Sequence, residues 1–101
     1  MVQVVASLSI NPEEPEALEA YFQVAMPLIE KVGAKVLQKL ELGEPVIGKQ
    51  SSEMVMLVEY PNYEAVEKVF QSAEYQSIIP SREKAFLKYN VCIVSKNDMV
   101  A

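Results

Sequence analysis

Residues 54–63 read MVMLVEYPNY: five apolar residues without a break, then Glu59, Tyr60 and Pro61. A short apolar run closed by a proline reads as a β-strand. Successive side chains on a strand point to opposite faces. Met54, Met56, Val58 and Tyr60 therefore share one face, and Val55, Leu57 and Glu59 the other. Both faces are largely apolar, so this strand demands cover on both sides, which helices on one side of a sheet cannot supply. It also places a carboxylate beside Val55 and Leu57, where it must be protonated, paired or in contact with a wet cavity.

The rest of the chain supplies partners for that strand. Residues 2–10 alternate, with Val2, Val4, Ala6, Leu8 and Ile10 on one face and Gln3, Val5, Ser7 and Ser9 on the other. Asn11-Pro12-Glu13-Glu14 carries N-cap, first-turn proline and capping-box chemistry, predicting a helix from Pro12. Its apolar stripe is Ala17, Leu18, Tyr21, Phe22, Ala25, Leu28, Ile29 and Val32. Pro27 is expected to kink or split it near residues 23–27, and Gly33 to end it. Residues 34–42 return to extended structure, followed by turn chemistry at Gly43-Glu44-Pro45 and over 48–52. After Pro61, Asn62 caps a helix whose apolar face is Tyr63, Val66, Val69 and Phe70. Ser72 restarts the chain into a helix over 73–87, interrupted at Pro80, and residues 89–95 form the last strand.

The order β-α-β-β-α-β predicts an α+β, ferredoxin-like fold: a four-stranded antiparallel sheet with helices on one face. One domain spans 1–96, with 97–101 as a C-terminal tail. The uncovered sheet face stays apolar, with Cys92 and Val94 opposite Val91 and Ile93 on the last strand, so a second copy is expected to pack against it as a homodimer.

Composition excludes several functions. The net charge of −5, with nine scattered basic residues, argues against nucleic acid, whose phosphates demand Lys and Arg. The longest apolar run is far too short to span a membrane. The start, MVQVVASLSI, lacks a basic leader region, and a cytoplasmic location is expected. With no histidine and one cysteine, neither a zinc site nor an internal disulfide is expected, and no cofactor is assigned. The cluster Glu13, Glu14, Glu16 and Glu19 lacks calcium-loop spacing and suits a helix N-terminus instead.

Val58-Glu59-Tyr60-Pro61, Ser72-Ala73-Glu74-Tyr75-Gln76 and Arg82 together resemble a family of small bacterial proteins, DUF1330, whose pattern has an E-F-P strand end, a W-Y-x-S-x-E-Y-Q segment and an arginine on the last helix. Tyr21, Pro27, Gly33 and Glu44-Pro45-Val46-Ile47-Gly48 agree with it, so the resemblance runs from about Tyr21 to Val94. It implies the fold and dimer of the dimeric α/β barrels, a group that also holds cofactor-free monooxygenases, lactone isomerases and haem enzymes. It implies no reaction. The sequence departs from the pattern at Val69-Phe70, where a Trp-Tyr pair is usual, at Gly33-Ala34-Lys35 in place of Gly-Gly-Arg, and at Ile47 in place of Glu. These changes bear on a shared ligand more than on a shared fold.

Helical spacing puts Tyr75, Ile79, Arg82 and Phe86 on one side of the 73–87 segment. If that side faces the sheet, Glu59, Arg82 and Tyr75 converge between sheet and helices. As a site, Arg82 would hold an anionic or enol oxygen, Glu59 would act as base or acceptor, and Tyr75 would orient the ligand. As structure, Glu59 and Arg82 would be an ion pair fastening the last helix. Ser7, with Gln3 and Ser9, could line the same cavity or sit at a wet sheet face. Ser72 and Ser77 have no histidine to activate them, and Ser72 reads as a cap. Cys92 reads as a small buried hydrophobe. The aromatic residues Tyr21, Phe22, Tyr63, Phe70, Tyr75, Phe86 and Tyr89 read as core. The functional expectation is thus a small homodimer binding a small organic molecule between sheet and helices, with any catalysis cofactor-free and of monooxygenase or isomerase type. The alternative is a non-catalytic structural or partner-binding module.

Overall fold

The computed structural model describes residues 1–49 and 53–95. Four strands, β1 (Val2–Ile10), β2 (Lys35–Glu41), β3 (Met54–Tyr60) and β4 (Phe86–Ile93), form one antiparallel sheet in the order β2-β3-β1-β4. Helix α1 (Pro15–Lys31) crosses from β1 to β2, and α2 (Tyr63–Phe70), α3 (Ala73–Ser77) and α4 (Ile79–Ala85) cross from β3 to β4. This is the α+β, ferredoxin-like order the strand and helix periodicities imply.

The core lies between the helices and one sheet face. Val4 and Leu8 of β1, Val58 and Tyr60 of β3, Tyr21 and Ala25 of α1, and Val66 and Val69 of α2 are its buried centre. The other face is uncovered. Cross-strand rows there run Lys35–Glu59–Gln3, then Gln38–Leu57–Val5–Cys92, then Leu40–Val55–Ser7–Asn90. Val5, Val55 and Leu57 form an apolar band across its middle.

Local chemistry explains where the elements begin and end, including where they depart from expectation. Helix α1 starts at Pro15, not Pro12. Asn11 is occupied by a turn instead of a cap: its Oδ1 accepts from the Glu13 amide at 3.1 Å, and its Nδ2 donates to the Lys84 carbonyl at 3.3 Å. Pro15 then takes the first turn, where a missing N–H costs nothing. Pro27 neither splits nor ends α1, which runs unbroken for 17 residues. Its ring is on the exposed side, so water can reach the Gln23 carbonyl left without an amide donor, while Tyr21 and Ala25 hold the opposite side in the core. Gly33 closes the helix as expected, with φ +82°, a conformation that glycine adopts without strain. The Ala34 amide reaches back to the Ile29 carbonyl at 3.2 Å.

Asn62 and Ser72 cap as expected: the Asn62 side chain accepts from the Ala65 amide at 2.8 Å, and Ser72 Oγ from the Tyr75 amide at 3.1 Å. The face of α2 is Ala65, Val66 and Val69, with Phe70 partly buried; Tyr63, expected in it, is exposed. The segment expected as one helix over 73–87 divides at Ile78 into α3 and α4 and ends at Ala85. β4 accordingly begins at Phe86, three residues early, because Phe86 pairs with Ile10 across an irregularity at Ser9/Ile10. The loop expected over 48–52 lies partly outside the described residues, as does the tail over 97–101. Cys92 is exposed in the single chain, not buried: it pairs with Val5 on the uncovered face. Among the described residues no helix is long and apolar enough to cross a membrane.

Candidate functional site

Four elements bring one arginine and three tyrosines together. Tyr21 sits mid-way along α1, on its buried stripe. Tyr75 sits in the first turn of α3, placed there by the Ser72 cap. Arg82 follows seven residues later on α4, near the same azimuth. Tyr89 belongs to β4 and pairs with Leu8, so it shares the helix-facing side of the sheet. Arg82 Nη1 donates to the Tyr75 hydroxyl at 3.2 Å. The Tyr21 hydroxyl lies 2.9 Å from that of Tyr75 and 2.6 Å from that of Tyr89. The guanidinium also stands 5.7 Å from the ring centroids of both Tyr75 and Tyr89, within cation–π range.

Edge-to-face packing sets these hydroxyl positions. The Tyr21 ring meets Tyr75 at 80° and Phe86 at 87°, and Phe70 meets Tyr75 at 75°. Tyr21 and Tyr75 are each only 2% exposed, so their hydroxyls must be satisfied within the protein. Among the described residues no buried side-chain polar atom lacks a partner.

The network is electrostatically one-sided. Burial pushes the Tyr21 hydroxyl far above the usual phenol range, and the neighbouring Tyr89 and Tyr75 push it further. Burial, then the charge of Tyr75, raises Tyr89. Tyr60, beneath them in the core, is pushed up to about 12 by burial and then by Tyr75. For Arg82, burial alone acts to lower the pKa, but the hydrogen bond and charge interaction with Tyr75, helped by Tyr21 and Tyr89, outweigh it and leave the guanidinium raised. Near neutral pH the site therefore sets one cation, Arg82, beside the neutral hydroxyls of Tyr21 and Tyr89.

It opens on a cleft of about 390 Å³ at the β4 edge of the sheet. Val66 and Phe70 of α2 and Val91 and Ile93 of β4 form apolar walls, with Tyr75, Arg82 and Tyr89 as the polar end. Among the described residues no carboxylate lines it.

Of the residues expected at a site, the structure joins Tyr75 and Arg82 and separates the other two. Glu59 lies on the uncovered face, in register with Gln3 and Lys35, while its neighbours Val58 and Tyr60 point into the core. It lines a shallow groove at the end of the sheet with Met1, Gln3, Tyr63 and Ile93. The expected convergence of Glu59 with Arg82 between sheet and helices does not occur, because the helices cover the other side of β3. Ser7 is likewise on the uncovered face, paired with Val55 and Asn90. Tyr hydroxyls, not a carboxylate, take the place beside Arg82. Tyr21 and Tyr89 were legible only as core aromatics. The signal that could have found them is that a buried tyrosine needs a partner for its hydroxyl.

Chemically, the arrangement offers donors and positive charge. A guanidinium beside polarised hydroxyls can hold and steady an oxyanion. It contains no group with the basicity of a carboxylate or imidazole, so general-base work is not supplied from the cleft wall. Ser77 donates to the Glu74 carbonyl at 2.6 Å and Ser72 to that of Val69 at 2.8 Å, both local helix contacts.

Solved structures share this fold at low identity. A protein of unknown function from Rhodopseudomonas palustris is similar at 20% identity, with a TM-score of 0.79, covering 96% of this chain and 82% of its own. A protein from Arabidopsis thaliana is 14% identical with a TM-score of 0.70 and covers all of both chains. A Nitrosomonas europaea protein, whose name proposes an antibiotic biosynthesis monooxygenase, is 12% identical with a TM-score of 0.62, covering 95% of this chain and 98% of its own. No curated protein matches the chain. These likenesses show a shared fold, a four-stranded antiparallel sheet with helices in the ferredoxin-like order. The model of a domain of unknown function, DUF1330, matches residues 4–97, nearly the whole chain, and the protein belongs to the DUF1330 family.

Proposed function

We propose that this chain is a cytoplasmic homodimeric domain that binds a small organic molecule in the cleft between α2, α4 and β4. One observation carries this reading: Arg82 is held against Tyr75 at the polar end of an otherwise apolar cleft, where the described residues around it supply tyrosine hydroxyls and no carboxylate. Arginine placed only to fasten a helix would be expected to meet an acid. An apolar slot with a few convergent polar groups is the usual form of a ligand site. The homodimer would form through the uncovered sheet face, where Val5, Val55 and Leu57 otherwise meet water. If the domain is an enzyme, its own groups would serve chemistry that steadies negative charge on a substrate oxygen. That requirement is shared by isomerase-like and cofactor-free monooxygenase-like reactions, and the Nitrosomonas europaea protein's name points the same way.

A second reading rests on the burial of Tyr21 and Tyr75: the network ties α1, α3, α4 and β4 together and serves no ligand. Arg82→Ala separates the two. Under the first reading the variant keeps its melting temperature within a few degrees, since the guanidinium is largely at the cleft surface, and loses binding of small aromatic fragments in a ligand-observed NMR screen. A variant that unfolds, or a wild-type protein that binds no fragment in the cleft, would support the second reading.

A further inference from the structure

The hydrogen-bond chain has a direction, and the direction specifies the ligand. A guanidinium only donates. The Tyr75 hydroxyl accepts from Arg82 Nη1 and must place its own proton elsewhere. At 2% exposure Tyr75 has little access to water, and the hydroxyl at hydrogen-bond distance is that of Tyr21, 2.9 Å away, although Tyr89 also interacts with Tyr75. Tyr21 has accepted in turn, and it too is 2% exposed, so its proton goes to Tyr89 at 2.6 Å. Donation therefore runs Arg82 to Tyr75 to Tyr21 to Tyr89. Tyr89 is half-buried and lines the cleft. Its proton is the one the chain leaves over. Each acceptance strengthens the next donation, because hydrogen bonds in series polarise one another.

The cleft thus presents two donors, the Tyr89 O–H and the remaining N–H groups of Arg82, and one positive charge. We propose, building on the cleft reading above, that the ligand is a small organic monoanion, a carboxylate or phenolate on a flat apolar body. Its oxygen is received by Tyr89 and Arg82, and its body lies against Phe70, Val66 and Val91. Tyr21, which does not reach the cleft, acts as a positioning residue that orients the Tyr89 proton outward. Charge supports the choice. The protein as a whole is acidic, with net charge −5, yet among the described residues this cleft is lined by an arginine and no acid. The groove at the other end of α2 mixes Lys31 and Lys68 with Glu64 and Glu74 and has no such preference. One cation and an apolar wall fit a monoanion and disfavour a phosphate ester, which would bring a second charge with nothing to meet it.

The test is a two-dimensional NMR titration of the full chain with benzoate and with benzamide, its uncharged analogue of the same shape, at fixed ionic strength. The expected result is that benzoate shifts the Arg82 side-chain and β4 amide signals and binds about tenfold more tightly than benzamide, the worth of one charge-assisted hydrogen bond. Tyr89→Phe should lower benzoate affinity about tenfold, and Tyr21→Phe about threefold with benzamide affinity unchanged. Equal binding of the two probes would overturn the anion assignment while leaving the cleft reading standing. No binding of either would sink both. A benzoate preference that survives Tyr21→Phe and Tyr89→Phe unchanged would overturn the directed chain and leave Arg82 alone as the anion site.

Discussion

Leu57 and Val58 are neighbours in β3 and belong to two different environments. Val58 is 5% exposed and packed under α1 and α2, whereas Leu57 stands on the uncovered face between Val5 and Gln38. The helix side is closed by the chain itself: its apolar groups are covered and the hydroxyls of Tyr21, Tyr75 and Tyr89 are paired with one another. The far side carries a narrower apolar band of Val5, Val55 and Leu57, and nothing among the described residues lies over it. A sheet built this way is a finished core on one side and half of a core on the other. The difference separates two roles that the strand pattern alone runs together, folding and association.

The sharpest way to break the comparison is a pair of aspartate substitutions. Val58→Asp buries a carboxylate with no partner and should cost about 4 kcal/mol or more, enough to unfold a domain of ordinary stability. Leu57→Asp should leave the circular dichroism spectrum of a folded chain and abolish the dimer, read as a halved mass in light scattering. If Leu57→Asp leaves a dimer intact at micromolar concentration, the uncovered face is not the interface. If the wild type is already monomeric there, the proposed homodimer falls.

A change of pH acts on the helix side first. The folded-state pKa values of Tyr21, Tyr60 and Tyr89 all lie above the usual phenol value of 10.0, with Tyr60 at about 12. A raised folded pKa means that the folded state holds its proton more tightly than the unfolded chain. The contribution is therefore fully present below pH 10 and is lost as pH rises through the folded values. Urea midpoints should be level from pH 7 to about 9 and fall above about 10, and in a Tyr63→Phe background, which removes the exposed tyrosine, most of the tyrosinate absorbance should rise as the protein unfolds. Tyr60→Phe should make the decline shallower. In the Tyr63→Phe background, tyrosinate that forms at ordinary phenol pH in a chain still folded would show that the hydroxyl network is open to water.

Much of this architecture is readable from residue order. β1, which alternates, and β3, an unbroken apolar run, are bounded by Pro12 and Pro61, so their extents are recovered in full. Asn62 and Ser72 cap where their chemistry says they should. What misleads is chemistry with two uses. Asn11 and Pro12 form a helix start on paper, but the Asn11 side chain is spent on a turn and on Lys84, and Pro15 begins the helix. Phe86 fits a helical stripe and also fits a strand, and pairing with Ile10 decides for the strand. At the site, Tyr75 and Arg82 are legible because both lie on helical pieces seven residues apart. Tyr21 and Tyr89 are hidden by the quality that buries them, since an aromatic ring in a stripe reads as core whatever its hydroxyl does. Glu59 fails for a different reason. With apolar residues on both faces of β3, the strand's own pattern does not say which face the helices cover, and Glu59 shares its parity with Leu57.

The smallest expected effect therefore belongs to the residue with the most conspicuous sequence. Glu59 stands in a row with Lys35 and Gln3 on the uncovered face, in a groove of about 520 Å³ that shares only Ile93 with the Arg82 cleft. Glu59→Gln keeps its shape and removes its charge. On a partly exposed surface such a change is worth within about 0.5 kcal/mol. Melting temperature should move by no more than a few degrees, and benzoate affinity should not change. Both are read on the same sample, by calorimetry and by the NMR titration. A loss of benzoate binding in a folded Glu59→Gln protein would mean that the two faces act as one site, with the covering copy carrying the coupling between them. Unchanged binding would place Glu59 with the association face, where its charge sits at the edge of the apolar band formed by Leu57, Val5 and Val55.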